Sequence, residues 1–382
     1  MSGLLGTTVT LWVGPVVAVP APASLTQAMQ RVQVTQNDTS SGFQITFNAE
    51  PAYGASTSTG PSATDFLLLK PYNRVIVSAA LNGSSTVLID GVITHMELTP
   101  GQGAQGTTYT VTGRDVSAVM DLWEESQEYP ALDAELQVTE ILLGYAIYGI
   151  APLVIPTTFA VPPLPTDRVP IKDGTDLQYI RYLASLYGYE FYVKPGPAPL
   201  TNIAYWGPIV RVGMLQSALS VNLGPNTNVD SLSFSYDADT PTIAYGNVID
   251  LTTNLEVPVI GVPLYSLPPF AAMPAIAVNL PYVRATLLEH QGMSVMQAQA
   301  LADSIVSQST ENVVTGTGEL DAFRYGSVLT ARSLVGVRGA GLDYDGIYWV
   351  RSVTHTIEMG QWRQSFEIVR EGIGTTVPVV MT

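Results

Sequence analysis

The sequence predicts a mainly β protein of the α+β class, in which two similar β units flank a unit that contains helices. Three observations lead to this prediction. Several segments alternate apolar and polar residues, helical periodicity is concentrated in the middle of the chain, and one phrase occurs near the end of both β-rich stretches.

The alternating segments are "GFQITFNAE", "TTYTVTGRD", "VDSLSFSYD" and "QSFEIVRE". In the first, Phe43, Ile45 and Phe47 face one way and the polar residues between them face the other. In the last, Phe366 and Ile368 oppose a second face that includes Val369. Successive side chains of a strand point to opposite sides, so each segment is predicted to be a half-buried antiparallel strand.

Three segments are predicted to be helices. Residues 175–187 carry apolar residues at helical spacing, with a capping box of Thr175 and Gln178 and with Gly188 as the stop. Residues 134–148 lie between Asp133 and Gly149, and residues 295–309 follow a second capping box, made by Ser294 and Gln297; these bounds complete the set of predicted helices.

The repeated phrase reads "GVITHMELTPGQGAQGTTYTVTGRD" near residue 100 and "SVTHTIEMGQWRQSFEIVREG" near the carboxyl end. Each copy has Thr-His, a gap that contains glycine, an alternating segment and Arg followed by an acid. The spacing differs, from His95 to Arg114 and from His355 to Arg370, as a hairpin loop of variable length allows. The repeat indicates an ancient duplication of one small β-barrel.

Composition excludes several classes of protein. Of 382 residues, 46% are hydrophobic and 13% charged, which suits packed cores and not a disordered chain. The chain has no Cys, so disulfides and thiol chemistry are excluded. The formal net charge of −16 repels phosphate backbones, so sequence-specific nucleic-acid binding is not expected.

The first 24 residues are apolar but are interrupted by Pro15, Pro20 and Pro22. They lack the positive stretch of a secretory signal, because the first basic side chain is that of Arg31. We interpret residues 1–24 as an extended arm or a first strand, and not as a membrane span.

Glycines and histidines supply candidate sites that we interpret as structural. "GQGAQG" (101–106) has the spacing of a phosphate-binding loop, but a predicted strand follows it and not a helix, so it is interpreted as a hairpin loop. His95 and His355 occupy matching places of the repeat and are interpreted as packed, hydrogen-bonded histidines. His290 has no companion residue in the sequence.

Two acidic segments are also candidates. "DLWEESQE" holds Asp121, Glu124, Glu125 and Glu128, which could serve glycoside hydrolysis but are interpreted as a solvated acidic face at a helix start. "DYDG" (343–346) lacks the ligands of a calcium loop and is interpreted as a tight turn. We therefore predict no catalytic, cofactor-binding or metal-binding residues and no enzymatic activity.

The order of these phrases resembles the late control protein D family, the baseplate hub proteins of contractile phage tails. The hub part of type VI secretion spike proteins is similar. The most telling pieces are "VTGRD", "DGTDLQYIRYLASLYGY" and "YWVRSVTHTIEMGQWRQSF", and the likeness covers roughly residues 25–375.

The resemblance implies two tube-type β-barrels joined by an α+β domain, and a homotrimer whose six barrels surround a channel. The implied organisation is an N-terminal arm, a first barrel, an intervening domain, a second barrel with an inserted helix, and a C-terminal tail: 1–24, 25–122, 123–224, 225–375 and 376–382. No further spike segment follows the last strand, so the puncturing tip is expected to be a separate chain.

The implied partners are a tail tube or tube-initiator protein, a separate spike protein and other baseplate proteins. DNA or protein cargo would pass through the channel, and assembly would take place in the bacterial cytoplasm. Two alternatives stay open. A glycan-binding tail-tip protein would use aromatic residues of "YEFYV" and "AYWGP", and a tail-associated wall hydrolase would use Glu124 or Glu125.

Overall fold

The computed structural model describes residues 8–49, 63–101, 106–157, 169–249, 254–278, 282–288 and 294–377. The N-terminal part is built almost wholly of strands, whose inward residues form one apolar core. Its elements, in chain order, are β1 (Thr8–Gly14), β2 (Val19–Pro20), α1 (Ala23–Gln27), β3 (Met29–Gln36), β4 (Ser41–Asn48), α2 (Ala63–Phe66), β5 (Arg74–Leu81), β6 (Ser84–Thr99) and β7 (Thr108–Asp115).

The middle part holds two of the three predicted helices around a second core. Its elements are a 3₁₀ turn (Val116–Asp121), β8 (Glu124–Glu128), α3 (Ala134–Leu143), a 3₁₀ turn (Ala146–Tyr148), β9 (Ile150–Val154), β10 (Ile171–Thr175), α4 (Asp176–Tyr187), β11 (Glu190–Pro195) and β12 (Asn202–Gly207).

The caps of α4 agree with the prediction. The capping box of Thr175 and Gln178 is present, and Gly188 is left-handed with φ 66°. The predicted helix 134–148 is divided, because α3 ends at Leu143 and a separate 3₁₀ turn precedes Gly149.

The C-terminal part carries two further large cores, one in the main sheet and one around the third predicted helix, and a smaller cluster formed by Phe270, Leu334, Trp349 and Val369. Its elements are β13 (Leu215–Ser220), a 3₁₀ turn (Gly224–Asn226), β14 (Ser231–Tyr236), β15 (Thr242–Ile249), β16 (Glu256–Ile260), a 3₁₀ turn (Leu264–Ser266), β17 (Ala271–Pro274), α5 (Ala275–Val278), β18 (Arg284–Leu287), α6 (Val295–Glu311), β19 (Val314–Asp321), α7 (Ala322–Tyr325), β20 (Leu334–Arg338), β21 (Gly346–Glu358), β22 (Gln361–Arg370) and β23 (Gly372–Thr375).

Thirteen strands form one continuous sheet, which contains two ladders with the same strand order. The N-terminal ladder runs β1-β5-β6-β7-β4-β3, and the C-terminal ladder runs β13-β20-β21-β22-β19-β14. Counted along the chain, both orders are first, fourth, fifth, sixth, third, second. All neighbouring strands of the N-terminal ladder are antiparallel, including β1 and β5. The C-terminal ladder differs only at its first strand, because β13 is parallel to β20.

Backbone details match at equivalent places of the two ladders. Tyr72 and Arg332 precede β5 and β20, and both have a left-handed backbone, with φ 60° and 61°. The amide of Tyr72 donates to the carbonyl of Ile93, and that of Arg332 donates to Val350. A bulge follows immediately, after Ile93 in β6 and after Val350 in β21. These matches make Ile93 equivalent to Val350.

The ladder pairing gives the residue equivalences of the edge strands. Gly113, Phe43 and Val34 follow one another across the N-terminal ladder from Ile93. In the C-terminal ladder, the successive cross-strand partners from Val350 are Ile368, Gly316 and Phe234. These two rows of cross-strand partners define the equivalence. β3 therefore corresponds to β14, with Val34 at the place of Phe234.

Several sequence-based expectations are corrected by this pairing. Among the described strands the sheet is open, with β14 and β2 at the ends of the path, so the predicted pair of closed barrels is not seen. The histidines of the repeated phrase lie on equivalent strands but not at equivalent positions. Counting from the two bulges makes Leu98, and not His95, the residue equivalent to His355. Val369 is buried and not on a polar face, because it packs with Phe270 and Trp349.

Candidate assembly interface

The two ladders are joined through β3 and β21, which pair antiparallel over six residues. The register places Arg31 opposite Glu358 and Gln36 opposite Val353. Backbone pairing across the joint makes the two halves one sheet, which satisfies the edge groups that an isolated ladder would expose.

Polar side chains reinforce the joint. The hydroxyls of Thr35 and Thr354 lie 3.2 Å apart. Gln36 is buried; its Nε2 donates to the carbonyl of Leu88 at 2.8 Å and its Oε1 accepts from the amide of Ala331 at 3.3 Å. One side chain thus ties a strand of the N-terminal ladder to the loop before β20.

Arg332 connects three parts of the fold from its left-handed position. Its Nε donates to the carbonyl of Asn37 at 2.7 Å, and its Nη2 donates to the hydroxyl of Ser41 at 3.1 Å. The guanidinium lies 4.4 Å from the ring centre of Tyr192 in the middle part. Burial lowers the pKa of this guanidinium. A strained backbone persists only where surrounding contacts outweigh it, and here they do so at the joint.

His355 is a packed core residue, as interpreted from the sequence. It is fully buried, and its Nδ1 lies 3.0 Å from Nε2 of Gln364. That amide also donates to the carbonyl of Leu329, which fixes Gln364 as a donor and Nδ1 of His355 as the acceptor. Burial lowers the pKa of His355 to about 3, so the ring is neutral. His95 departs from the prediction, since it is exposed beyond its bulge.

A buried ion pair attaches the middle part to the N-terminal ladder. Nε and Nη2 of Arg74 donate to the two carboxylate oxygens of Asp90 at 2.7 and 2.6 Å. Nη2 also donates to the carbonyl of Tyr148 at 2.7 Å, and Asn202 donates to Asp90 at 2.9 Å. Both charges are buried and each has several partners, which is the condition under which a buried pair is tolerated.

A second ionic cluster lies between α6, β22 and the segment before β13. Arg211 donates to Glu371 at 3.2 Å and lies 3.8 Å from Glu311. Glu371 also accepts from the backbone amides of Phe270 and Ala271. Burial raises the pKa of Glu311 to about 7, against the opposing effect of Arg211. The cluster holds the helix against the sheet.

The acidic segment is a strand and not a helix start. Glu124–Glu128 is β8, which pairs antiparallel with β10. Neighbouring residues of a strand point to opposite faces, so Glu124 and Glu125 do not form a pair across a cleft. Glu125 accepts from the buried Lys172 at 2.6 Å, and Asp121 accepts from the hydroxyl of Thr175 at 2.9 Å.

The remaining candidate segments lie in turns. "DYDG" is a turn between β20 and β21, in which Oδ1 of Asp345 accepts from the amide of Ala340 at 2.7 Å. "GQGAQG" lies between β6 and β7, so a strand follows it as predicted, although its residues 102–105 lie outside the described part. His290 also lies outside the described residues.

The aromatic residues considered for glycan binding are buried. Phe191 and Tyr192 lie on β11, and Tyr205 and Trp206 lie on β12; none of these residues is more than 6% exposed. Tyr192 and Tyr205 stack with ring centres 5.0 Å apart. These residues build the middle part and its contact with Arg332.

Ligand sites are sparse in the described residues. They contain no group of three or more His, Asp or Glu side chains placed to hold a metal ion. Two open cavities of about 450 and 480 Å³ border β13 with β20 and the loop before β4, respectively. Within the same residues, no helix is long and apolar enough to cross a membrane.

Comparison with known proteins identifies the fold. No model of a protein family matches the chain, and no curated protein matches it either. Among solved structures, a tail protein from Neisseria meningitidis MC58 is similar, with a TM-score of 0.64 at 12% identity over 97% of this chain and 98% of that one. A 43 kDa tail protein of prophage MuSo2 from Shewanella oneidensis gives 0.61 at 11% identity, over 95% and 98%.

An E. coli component of the type VI secretion system, described as similar to the T4 bacteriophage tail proteins gp27 and gp5, is also similar. Its TM-score is 0.54 at 11% identity, over 92% of this chain and 77% of that one. At such identities the likeness concerns the fold alone. The fold of this chain is that of phage tail proteins and of a type VI secretion component.

Proposed function

We propose that this chain is a structural baseplate hub, which links a hexameric tail tube to a trimeric spike in a contractile phage tail or phage-tail-like injection particle. The observation that carries the proposal is the presence of two ladders with the same strand order in one sheet. Three copies would present six such ladders around a channel, so a threefold body could meet a sixfold tube through similar contacts.

The similarity of the ladders supports an origin by duplication of one β unit. In the proposed assembly each ladder belongs to one tube-type β domain, and the middle part forms the α+β domain between them. Because the described sheet of one chain is open, closure of a barrel would then require pairing with strands of another copy of the chain. The proposed domains keep the bounds 1–24, 25–122, 123–224, 225–375 and 376–382.

The proposed role is assembly and not catalysis. Glu124 and Glu125, on which the wall-hydrolase alternative depended, lie on opposite faces of β8, and the two buried ionic clusters described above are engaged in packing. The proposed partners are two further copies of the chain, a tail tube or tube-initiator protein, a separate spike protein and other baseplate proteins. The net charge of −16 would let DNA or an acidic protein cargo pass without adhering.

The fold likeness to tail and secretion proteins supports this role. Assembly in the bacterial cytoplasm is part of the same proposal. A glycan-binding role is disfavoured, because the aromatic residues on which it depended lie in the core.

The proposal is tested by the mass of the purified chain in solution and by electron microscopy of the native particle. A trimer, alone or with its spike protein, located between tube and spike is expected. A chain that stays monomeric with both partners, or that maps to a peripheral fibre, would contradict the hub role.

A further inference from the structure

Two edges of the sheet, β14 and the end of β6, lack a neighbouring strand in the described structure, and the joint between the ladders shows how such edges can pair. β14 pairs with β19, and among the described strands it has no second partner. β6 pairs with β5 as far as Val92, and its residues 96–99 extend beyond β5 with only β7 beside them in the described structure. In the joint between the ladders, β3 occupies the corresponding stretch of β21, beyond β20.

The backbone groups of both edges point outward in alternate residues. The amide of Asp237 donates to Val313, so the odd-numbered residues of β14 face β19 and Leu232 and Phe234 face outward. The amide of Ala49 donates to Thr107, so the odd residues of β7 face β4 and its even residues face β6.

The register of β6 with β7 then gives the direction of the β6 groups. Thr110 lies opposite Glu97, so Glu97 is bonded to β7 and Leu98 directs its backbone groups away from it. The backbone amide and carbonyl groups of Phe234 and Leu98 therefore point away from β19 and β7, toward the open edges. These two residues are equivalent to Val34 and His355, which pair in the joint.

The side chains show the same incompleteness. Val34 and His355 are fully buried in the joint. Their counterparts are less covered, because Phe234 is half-buried and Leu98 is 42% exposed. An additional strand at each edge would cover the apolar face that β3 and β21 cover for each other.

We propose that β14 of one copy of the chain pairs antiparallel with residues 96–99 of β6 in the next copy, in the register of the internal joint. Transferring that register places Phe234 opposite Leu98, Ser235 opposite Glu97 and Ser233 opposite Thr99. The contact is shorter than the six-residue joint, because Pro100 has no amide to donate. The two edges differ, so the contact is head-to-tail, a kind of contact that closes into a ring or extends into a filament; closure at three copies rests on the proposed function.

Cysteine cross-linking tests the register directly, because the chain has no Cys. Glu97 and Ser235 form a non-hydrogen-bonded pair in this register, and the Cα separation of about 4.5 Å for such pairs suits a disulfide. The variant Glu97→Cys with Ser235→Cys, oxidised with diamide as the full chain, is expected to give covalent dimers and a limiting trimer on a non-reducing gel.

The matched control is Glu97→Cys with Ser231→Cys, because Ser231 is also exposed but is displaced by four residues, roughly 13 Å along the strand. It is expected to stay uncross-linked. Leu98→Pro removes an outward amide without removing a bond to β7, and should weaken self-association about tenfold per contact, whereas Leu98→Thr should not. Thermal melts establish that each variant is folded.

The outcomes separate this inference from the hub role. A trimer by mass that fails to cross-link at 97 and 235 would overturn the edge pairing and leave the hub role standing. Cross-linked species of more than three copies would retain the edge pairing and contradict the trimer. A monomer without interchain disulfide, or with a disulfide inside one chain, would overturn the pairing.

Discussion

The N-terminal and C-terminal ladders have the same strand order but differ in how their strands are connected. β3 and β4 are joined by the short hairpin 37–40, whereas β14 and β19, their counterparts, are separated by residues 237–313. This insertion holds a three-stranded sheet and α6 around its own core. The comparison shows that a hairpin end can accept a folded insertion while the ladder keeps its pairing, as expected of surface connections.

The ladders also differ in the chemistry of equivalent positions. Counting from the matching bulges, Arg74 and Asp90 of the N-terminal ladder correspond to Leu334 and Ile347 of the C-terminal one. Tyr72 is about half exposed, whereas Arg332 at the equivalent left-handed position is buried with several partners. The same backbone thus carries an ionic or apolar contact, according to what packs against it.

The largest effect is expected from Asp90→Ala, which leaves Arg74 buried without its carboxylate. Breaking a buried pair in this way costs roughly 3–5 kcal/mol. Denaturant unfolding at neutral pH measures the loss. Arg324→Ala is the control, because its ion pair with Asp230 is exposed and should contribute less than about 1 kcal/mol.

The double variant Arg74→Leu with Asp90→Ile copies the counterpart positions and sharpens this comparison. It should recover part of the loss, because neither charge stays buried alone, although Asn202 and the carbonyl of Tyr148 lose a partner. A double variant less stable than Asp90→Ala would show that the two ladders are not interchangeable here.

Arg332→Ala should destabilise the chain by about 3 kcal/mol, and Tyr72→Ala by less than about 1 kcal/mol. Both substitutions place Ala at a left-handed position, so the backbone cost is the same and the difference isolates the contacts of Arg332. Urea unfolding curves of the two variants provide the measurement. Equal losses would mean that the joint does not depend on Arg332.

Two titratable groups, the buried His355 and the mostly buried Glu311, should give opposite pH dependences. The pKa of His355 is about 3 in the folded chain and about 6.5 when unfolded, so its contribution to stability is lost as pH falls through that window. The pKa of Glu311 is raised to about 7 from 4.5, so its contribution is lost as pH rises toward 7.

Relative to the parent, His355→Gln should therefore lose about 2 kcal/mol less stability between pH 7 and pH 5. Glu311→Gln should shift the same comparison in the opposite direction. Unfolding free energies at the two pH values measure both. Parallel pH profiles for the parent and His355→Gln would show that the ring is not neutral in the folded chain.

The smallest effect is expected at the insertion. Ser294→Ala removes the hydroxyl that accepts from the amide of Gln297 at the start of α6, at a cost of about 1 kcal/mol. Hydrogen exchange should show faster opening in α6 and unchanged protection in β21 and β22. Equal acceleration in both regions would show that the insertion does not open independently of the ladder.

Local sequence patterns predicted elements correctly wherever tertiary pairing agreed with them. The alternation at Phe43 and Ile45 and both capping boxes are present as predicted. The interpretation of the acidic segment as a helix start was wrong, because Glu124–Glu128 pairs with β10 as a strand. The role of Arg332 was missed, since no local pattern links it to Asn37 and Tyr192.

The sequence by itself determined the alternating strands, the two capped helices and the resemblance of two β-rich stretches, because side-chain alternation and capping act over a few residues. Only the tertiary structure decided that β3 joins β21, that the ladders share one strand order, and that Leu98 and not His95 corresponds to His355. Strand pairing links residues some 320 positions apart, and one bulge changes the register of every residue beyond it.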